Sequence, residues 1–183
     1  MRIMAVDPGL TNCGVAVVNA TGPLSLELLA VKVFHTDRSL SFENRIGKIG
    51  DSLLSMLEEF SPDLFALEKV FAQHNLSTVS GVAGVIGVAS YLCYKHGTHI
   101  AFHTPSEIKA SICGYGNAKK DQIRSMVNRV FLSQDIPLRH DASDALALAV
   151  CCARRYALHN EHFTEARLRW LSALGASSTE RGR

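Results

Sequence analysis

Metal-binding cysteine patterns are missing from this 183-residue chain: Cys13, Cys93, Cys113, Cys151 and Cys152 form no Cys-x-x-Cys pair, and the last two are vicinal. That spacing excludes a zinc finger or ribbon, and no His/Cys cluster has ligand spacing either. An odd number of thiols suits a reducing compartment, in which each serves as a small buried hydrophobe. A basic-then-apolar leader is also missing, since charged Arg2 and Asp7 bracket only four uncharged residues. A soluble, cytoplasmic protein is expected. Charge is scarce as well: 20% of residues are charged against 47% hydrophobic, which excludes a disordered polyelectrolyte. The length suits one well-buried domain and not two large ones.

From Val70 to Tyr94 there is no formally charged residue, which raises the question of a membrane span. Gln73, His74, Asn75, Ser77, Thr78, Ser80 and Ser90 interrupt the run, and it lies between two expected strands, so a span is rejected. A helix without charge on any face is expected to be buried all round, against its own sheet or a neighbouring subunit. The net charge of +2 conceals an uneven distribution. Residues 105–130 hold five Lys/Arg against two acids, 154–183 six against three, and the remainder eight against twelve. That is the footprint a polyanion would need around an acidic centre, although solvated helix faces give similar counts.

Ile3–Val6 is a short apolar run stopped by Asp7-Pro8-Gly9, and reads as a strand. Cys13–Val18 and Leu26–Phe34 read as two more, in an antiparallel meander. Ser41–Phe60 carries apolar residues at helical period and is closed by Pro62. Asp63–Glu68 is a fourth strand, residues 76–95 a helix, and Thr98–His103 a fifth strand. Pro105–Ile112, Ala118–Leu132 and Asp141–Leu158 complete a helical remainder. The expected architecture is α/β, a five-stranded mixed β-sheet with helices on both faces. Residues 1–159 would form the domain, and 160–183 a tail, partly disordered.

Four carboxylates stand out. Asp7 and Glu68 end strands, whereas Asp141 and Asp144, at spacing i,i+3, share one face at the start of a helix. Singly each has a plain alternative, as turn residue, N-cap or first-turn acid. Together they can converge, and unpaired buried carboxylates are too costly to keep without a counter-ion. Mg²⁺ is the natural one, since it takes carboxylate oxygens, water and phosphate. Two such ions about 4 Å apart assist phosphodiester hydrolysis.

The phrases DPGLTNCG, ALEKVF, TPSEIKASICGYGNAKKDQI and HDASDALALA, in that order over residues 1–157, resemble the RuvC family of Holliday-junction resolvases. The resemblance implies an RNase H-like fold and a Mg²⁺-dependent crossover junction endodeoxyribonuclease with two ions per site, Mn²⁺ substituting. The family's catalytic acids and metal ligands fall on Asp7, Glu68, Asp141 and Asp144. Some members carry histidine where Asp141 stands, and here His140 is one residue earlier. Two basic catalytic residues fall on Lys109 and Lys120, with Lys119 the neighbouring alternative to Lys120. An aromatic that meets DNA bases falls on Phe71, whose plain alternative is a hydrophobic anchor. The resemblance also implies a homodimer on a four-way DNA junction, cooperation with the RuvA–RuvB branch-migration complex, and a preference for short thymine-containing sites. On that basis residues 77–93 are expected at the dimer interface, with Ser77, Ser80, Gly81, Gly84 and Gly87 allowing close approach and Val82, Val85, Ile86 and Val88 supplying apolar area.

Three other functions compete. Asp7-Pro8-Gly9-Leu10-Thr11 is similar to the phosphate loop of actin-like ATPases and sugar kinases, but the second glycine-rich loop those enzymes need is missing. Small RNase H-like nucleases of ribosomal RNA processing share strand-end acids but lack a GYGNAKK region. A junction-binding architectural protein would bind without nicking.

Overall fold

The computed structural model describes residues 1–22, 25–69, 76–131 and 142–156. Strands β1 (Arg2–Asp7), β2 (Asn12–Ala20) and β3 (Leu26–His35) form the meander, followed by helix α1 (Phe42–Phe60). Strand β4 (Leu64–Glu68), helix α2 (Leu76–His96), strand β5 (His99–His103), and helices α3 (Pro105–Cys113) and α4 (Lys120–Val130) come next. A last helix, α5, covers residues 142–156. The sheet order is β3-β2-β1-β4-β5, with β2 antiparallel to β1 and β3, and β1, β4 and β5 mutually parallel.

The central strands read as unbroken apolar runs because both faces of the sheet are covered. Alternation decides which face each side chain serves. Ile3, Ala5, Ala66 and Ala101 meet α3, α4 and α5, through Ile108, Ile112, Ile123, Val127 and the run from Ala145 to Ala153. Met4, Val6, Phe65 and Leu67 meet α1 and α2, through Ile49, Leu53, Met56, Leu57, Val85, Ala89 and Cys93. The alanines of the first face leave room for α5 to lie close to the sheet. The five thiols are free, and burial pushes those of Cys13, Cys93 and Cys152 up to about 12, consistent with packing rather than reactivity.

Helix α2 corrects part of the sequence reading. Gly84 does not wait for a partner: a Cβ there would lie 2.8 Å from Ile46 Cδ1 and 3.1 Å from Phe42 Cζ, both on α1. Gly81 similarly fits against Leu10, and Val85 is wholly buried in the domain's own core. Three- and four-residue spacing puts these residues on the inner face, where Gly84 serves the α1–α2 contact and Gly81 the contact with the loop after β1. The opposite face is open rather than buried in the single chain. Ser80, Ala83, Gly87, Tyr91 and Tyr94 are exposed along it, the tyrosines by 60% and 81%. Among the described residues no helix is long and apolar enough to cross a membrane. The expected tail, 160–183, lies outside the described residues.

Leu53, fully buried between α1 and the sheet, tests the second core. Leu53→Ala is expected to cost about 2–5 kcal/mol, read as a lower denaturant midpoint at unchanged slope.

Candidate active site at the strand ends

Parallel pairing brings β1, β4 and β5 to one edge of the sheet. Val6 is the register partner of Leu67, and Glu68 of His103. Asp7 and Glu68 therefore close neighbouring strands. Two residues before each strand end stand Ala5, Ala66 and Ala101, all on the α3–α5 face, so by alternation Asp7, Glu68 and His103 face that side. The same face receives the first turn of α5, which carries Asp144.

Backbone geometry explains why the chain can turn away directly after Asp7. Gly9 N–H donates to the Asp7 carbonyl at 3.0 Å, and a Cβ on Gly9 would lie 2.0 Å from the Asn12 carbonyl oxygen. Only glycine fits there. Arg45 of α1 braces the loop from outside, Nε donating to Thr36 Oγ1 at 3.0 Å and Nη2 to Thr11 Oγ1 at 2.8 Å.

Glu68 feels the helix-borne acid and both lysines. Burial first, and the negative charge of Asp144 second, raise its pKa above the ordinary carboxylate value, while Lys120 and Lys109 oppose them. Lys120 Nζ lies 3.3 Å from Asp144 Oδ2. Lys119 is exposed, and its backbone N–H donates to Gln122 Oε1 at 3.0 Å. Geometry thus separates the two adjacent lysines: Lys120 reaches the acids, and Lys119 precedes the helix that carries it. Lys109 projects from α3, half-buried. Asp141, His140 and Phe71 lie outside the described residues.

Among the described residues no three His, Cys, Asp or Glu side chains are gathered closely enough to hold a metal ion, Asp141 not being among them. The donor chemistry nevertheless suits a hard cation, because carboxylates predominate.

Sequence reasoning passed over a polar cluster behind these residues. Thr104, Pro105 and Glu107 make a capping box at α3, with Thr104 N–H donating to Glu107 Oε2 at 2.7 Å and Glu107 N–H donating to Thr104 Oγ1 at 3.2 Å. The T-P-S-E string carried that signal. Arg155 of α5 donates to Glu107 Oε1 at 2.6 Å, and Arg154 to the Ser111 carbonyl. These ties fix α5, and with it Asp144, against α3 and Lys109. His103 lies beside them.

Comparison with known proteins agrees on one family. Residues 3–152 match the family of crossover junction endodeoxyribonuclease RuvC. The protein of that name from Leifsonia xyli subsp. xyli is 46% identical over 155 residues, 85% of this chain and 74% of the relative. That of Bifidobacterium animalis subsp. lactis is 38% identical across 100% of this chain and 97% of its own length. The structure is similar to Thermus thermophilus RuvC in complex with Holliday junction substrate, with TM-score 0.80 and 26% identity, over 86% of this chain and 96% of the other. The yeast mitochondrial Holliday junction resolvase Ydc2, at TM-score 0.64 and 10% identity over 92% of this chain and 86% of that one, shares the fold. A mixed five-stranded sheet of this order, with acids at neighbouring strand ends, defines a nuclease of the RNase H-like class. This chain belongs to the RuvC family of crossover junction endodeoxyribonucleases.

The Glu107–Arg155 tie gives a pH prediction. The Arg155 guanidinium first, and the Thr104 N–H second, hold the Glu107 carboxyl at about 2, down from 4.5. A depressed folded-state pKa stabilises above the unfolded value, and that stabilisation is lost as pH falls through the folded one. The Tm gap between wild type and Glu107→Gln should be constant above about 4.5 and close as pH falls toward about 2; a gap independent of pH would remove the tie.

Proposed function

We propose that this protein resolves Holliday junctions in recombination and DNA repair, in the cytoplasm, by symmetric Mg²⁺-dependent nicking of two strands. The observation that carries the reading is the placing of Asp7 and Glu68 at the ends of paired parallel strands, on the sheet face that α5 covers, with Asp144 and Lys120 acting on Glu68. The catalytic domain would span residues 1–159 and the tail 160–183. Asp7, Glu68, Asp141 and Asp144 would hold two Mg²⁺ ions, with Mn²⁺ an effective substitute, and the support is their all-oxygen chemistry and family kinship. When bound, such cations ease ionisation of the attacking water and offset charge on the phosphodiester. The chain's own groups do the rest. Glu68, half-buried, ends its strand beside Asp7, and Gly9 and Arg45 hold the turn behind Asp7. Lys120 and Lys109 put positive charge where the scissile phosphate would approach, and Lys119 and Phe71 extend the DNA contact. Cleavage leaves 3′-hydroxyl and 5′-phosphate ends. Family kinship supports cooperation with RuvA–RuvB.

One site cuts one strand, so paired cuts need two subunits, and a twofold dimer suits a junction with opposed equivalent strands. The exposed, charge-free stripe of α2 is the surface that supports this, ending in Tyr91 and Tyr94. A Cβ on Gly87 meets nothing within 4 Å in the subunit. Gly87→Arg is therefore expected to fold normally and sediment as a monomer with paired cleavage lost; a variant that stays dimeric removes this stripe from the interface.

The direct test is a labelled four-way DNA junction with and without Mg²⁺. Asp7→Asn and Glu68→Gln should bind the junction and fail to nick it, because ligation needs carboxylate charge whereas backbone recognition does not. Lys120→Ala should slow nicking more than it weakens binding. Near-normal cleavage by either acid variant overturns the metal assignment.

A further inference from the structure

Because β2 runs antiparallel to both of its neighbours, it opens, and β3 closes, at the edge of the sheet where β1 ends. Asn12 and His35 are register partners there, with 2.8 Å between His35 Nδ1 and Asn12 Oδ1. Alternation assigns their face. Ala16, four residues after Asn12, and Val31, four before His35, both pack on the side that α3, α4 and α5 cover. Asp7 pairs with Gly14, two residues from Asn12, and so shares that side. His35, Asn12, Asp7 and Glu68 therefore stand in a row across four neighbouring strands, on one face. The helices leave the first two exposed.

A carbonyl oxygen cannot donate, so the shared hydrogen is on His35 Nδ1, which donates to Asn12 Oδ1. The bond engages the amide through its oxygen and keeps its two N–H donors for another acceptor. Stability does not call for the pair. Thr36, 2% exposed, already ties the end of β3 to the loop after Asp7, its N–H donating to the Thr11 carbonyl at 3.0 Å and its hydroxyl to the Leu10 carbonyl at 2.5 Å. An exposed bond between neutral side chains adds little to that, since water competes for both partners.

The spacing suits a nucleic acid strand. Strands about 4.8 Å apart, rising about 3.4 Å per residue, put the Asn12 Cα about 8 Å from that of Asp7, one strand across and two residues along. That is comparable with the step between successive phosphates of one DNA strand. Asp37 and Arg38, which follow His35, carry opposite charges, so what this end of the row offers a phosphate is a neutral donor.

We propose that Asn12 holds the backbone phosphate next to the scissile one, its Nδ2–H donating to a phosphate oxygen, and that His35 is a positioning residue that orients the Asn12 amide. This rests on the reading of the chain as a junction nuclease that cuts at Asp7.

Two measurements on the full chain test it. Binding of a labelled four-way DNA junction without added metal compares wild type, Asn12→Leu, His35→Leu and the double variant over a range of salt. Loss of a neutral donor to a charged acceptor should weaken binding about tenfold. The slope of log affinity against log salt should stay as in wild type, since an amide releases no counterion. The double variant should bind no more weakly than Asn12→Leu, because His35 acts through Asn12. Asn12→Asp, which keeps an oxygen for His35 but sets a carboxylate against the phosphate, should bind more weakly still. A single uncharged methylphosphonate, stepped along the cleaved strand, then locates the contact. At the phosphate adjoining the cleavage point Asn12→Leu should lose about tenfold less affinity than wild type, and elsewhere the two should lose alike. Wild-type affinity in Asn12→Leu or Asn12→Asp, or equal methylphosphonate losses at that phosphate, overturns the contact. Additive losses in the double variant overturn the role of His35. If wild type itself does not bind the junction, the junction reading has failed, and the Asn12 contact falls with it.

Discussion

Parallel pairing of β1 with β4 is the constraint on which the site depends. Antiparallel neighbours would send their last residues to opposite edges of the sheet, and Asp7 and Glu68 would stand a full strand length apart. Parallel register places them side by side. The crossover that allows it runs through α1, which explains why α1 packs one face so thoroughly through Ile49, Leu53, Met56 and Leu57. Core and chemistry are thus one arrangement seen from its middle and from its edge.

The second half of the site comes from far along the chain and must be brought in by packing. Helix α5 is almost wholly apolar from Ala145 to Ala153 and lies on the alanine-lined face of the sheet. Apolar contact fixes its depth but not its rotation or axial slide, since a smooth surface of small residues permits both. Polar ties settle those. Arg155 to Glu107, Arg154 to Ser111 and Cys151 between His103 and Glu107 grip the helix at its far end. Lys120 meets its first turn at Asp144. Directional bonds do here what burial cannot.

Much of this was legible in the sequence, and the reasons are specific. Ile3–Val6 and Leu64–Leu67 announce central strands because both faces are buried, and an acid at the end of such a run has few structural excuses. The choice between Lys119 and Lys120 was not legible, since it turns on where α4 begins. Nor was the inward face of α2: without charged residues the helix offers no polar side by which to orient it, so Gly84 was assigned to a partner when it belongs to α1. Glu107 and Arg155 are 48 residues apart in sequence, and only folding joins them.

The two halves of the acidic cluster are secured by bonds of different kinds. The turn after Asp7 is held by Arg45 through the uncharged hydroxyls of Thr11 and Thr36. A bond to an uncharged hydroxyl has little Coulombic attraction for salt to weaken. Lys120 grips Asp144 as an exposed ion pair, and mobile ions screen such pairs over a Debye length of about 10 Å at 0.1 M. Rising ionic strength therefore loosens the helix-borne half while leaving the strand-borne half rigid. Under the proposed function an incoming phosphate would compete for the same lysine, which would exchange its acid for the substrate.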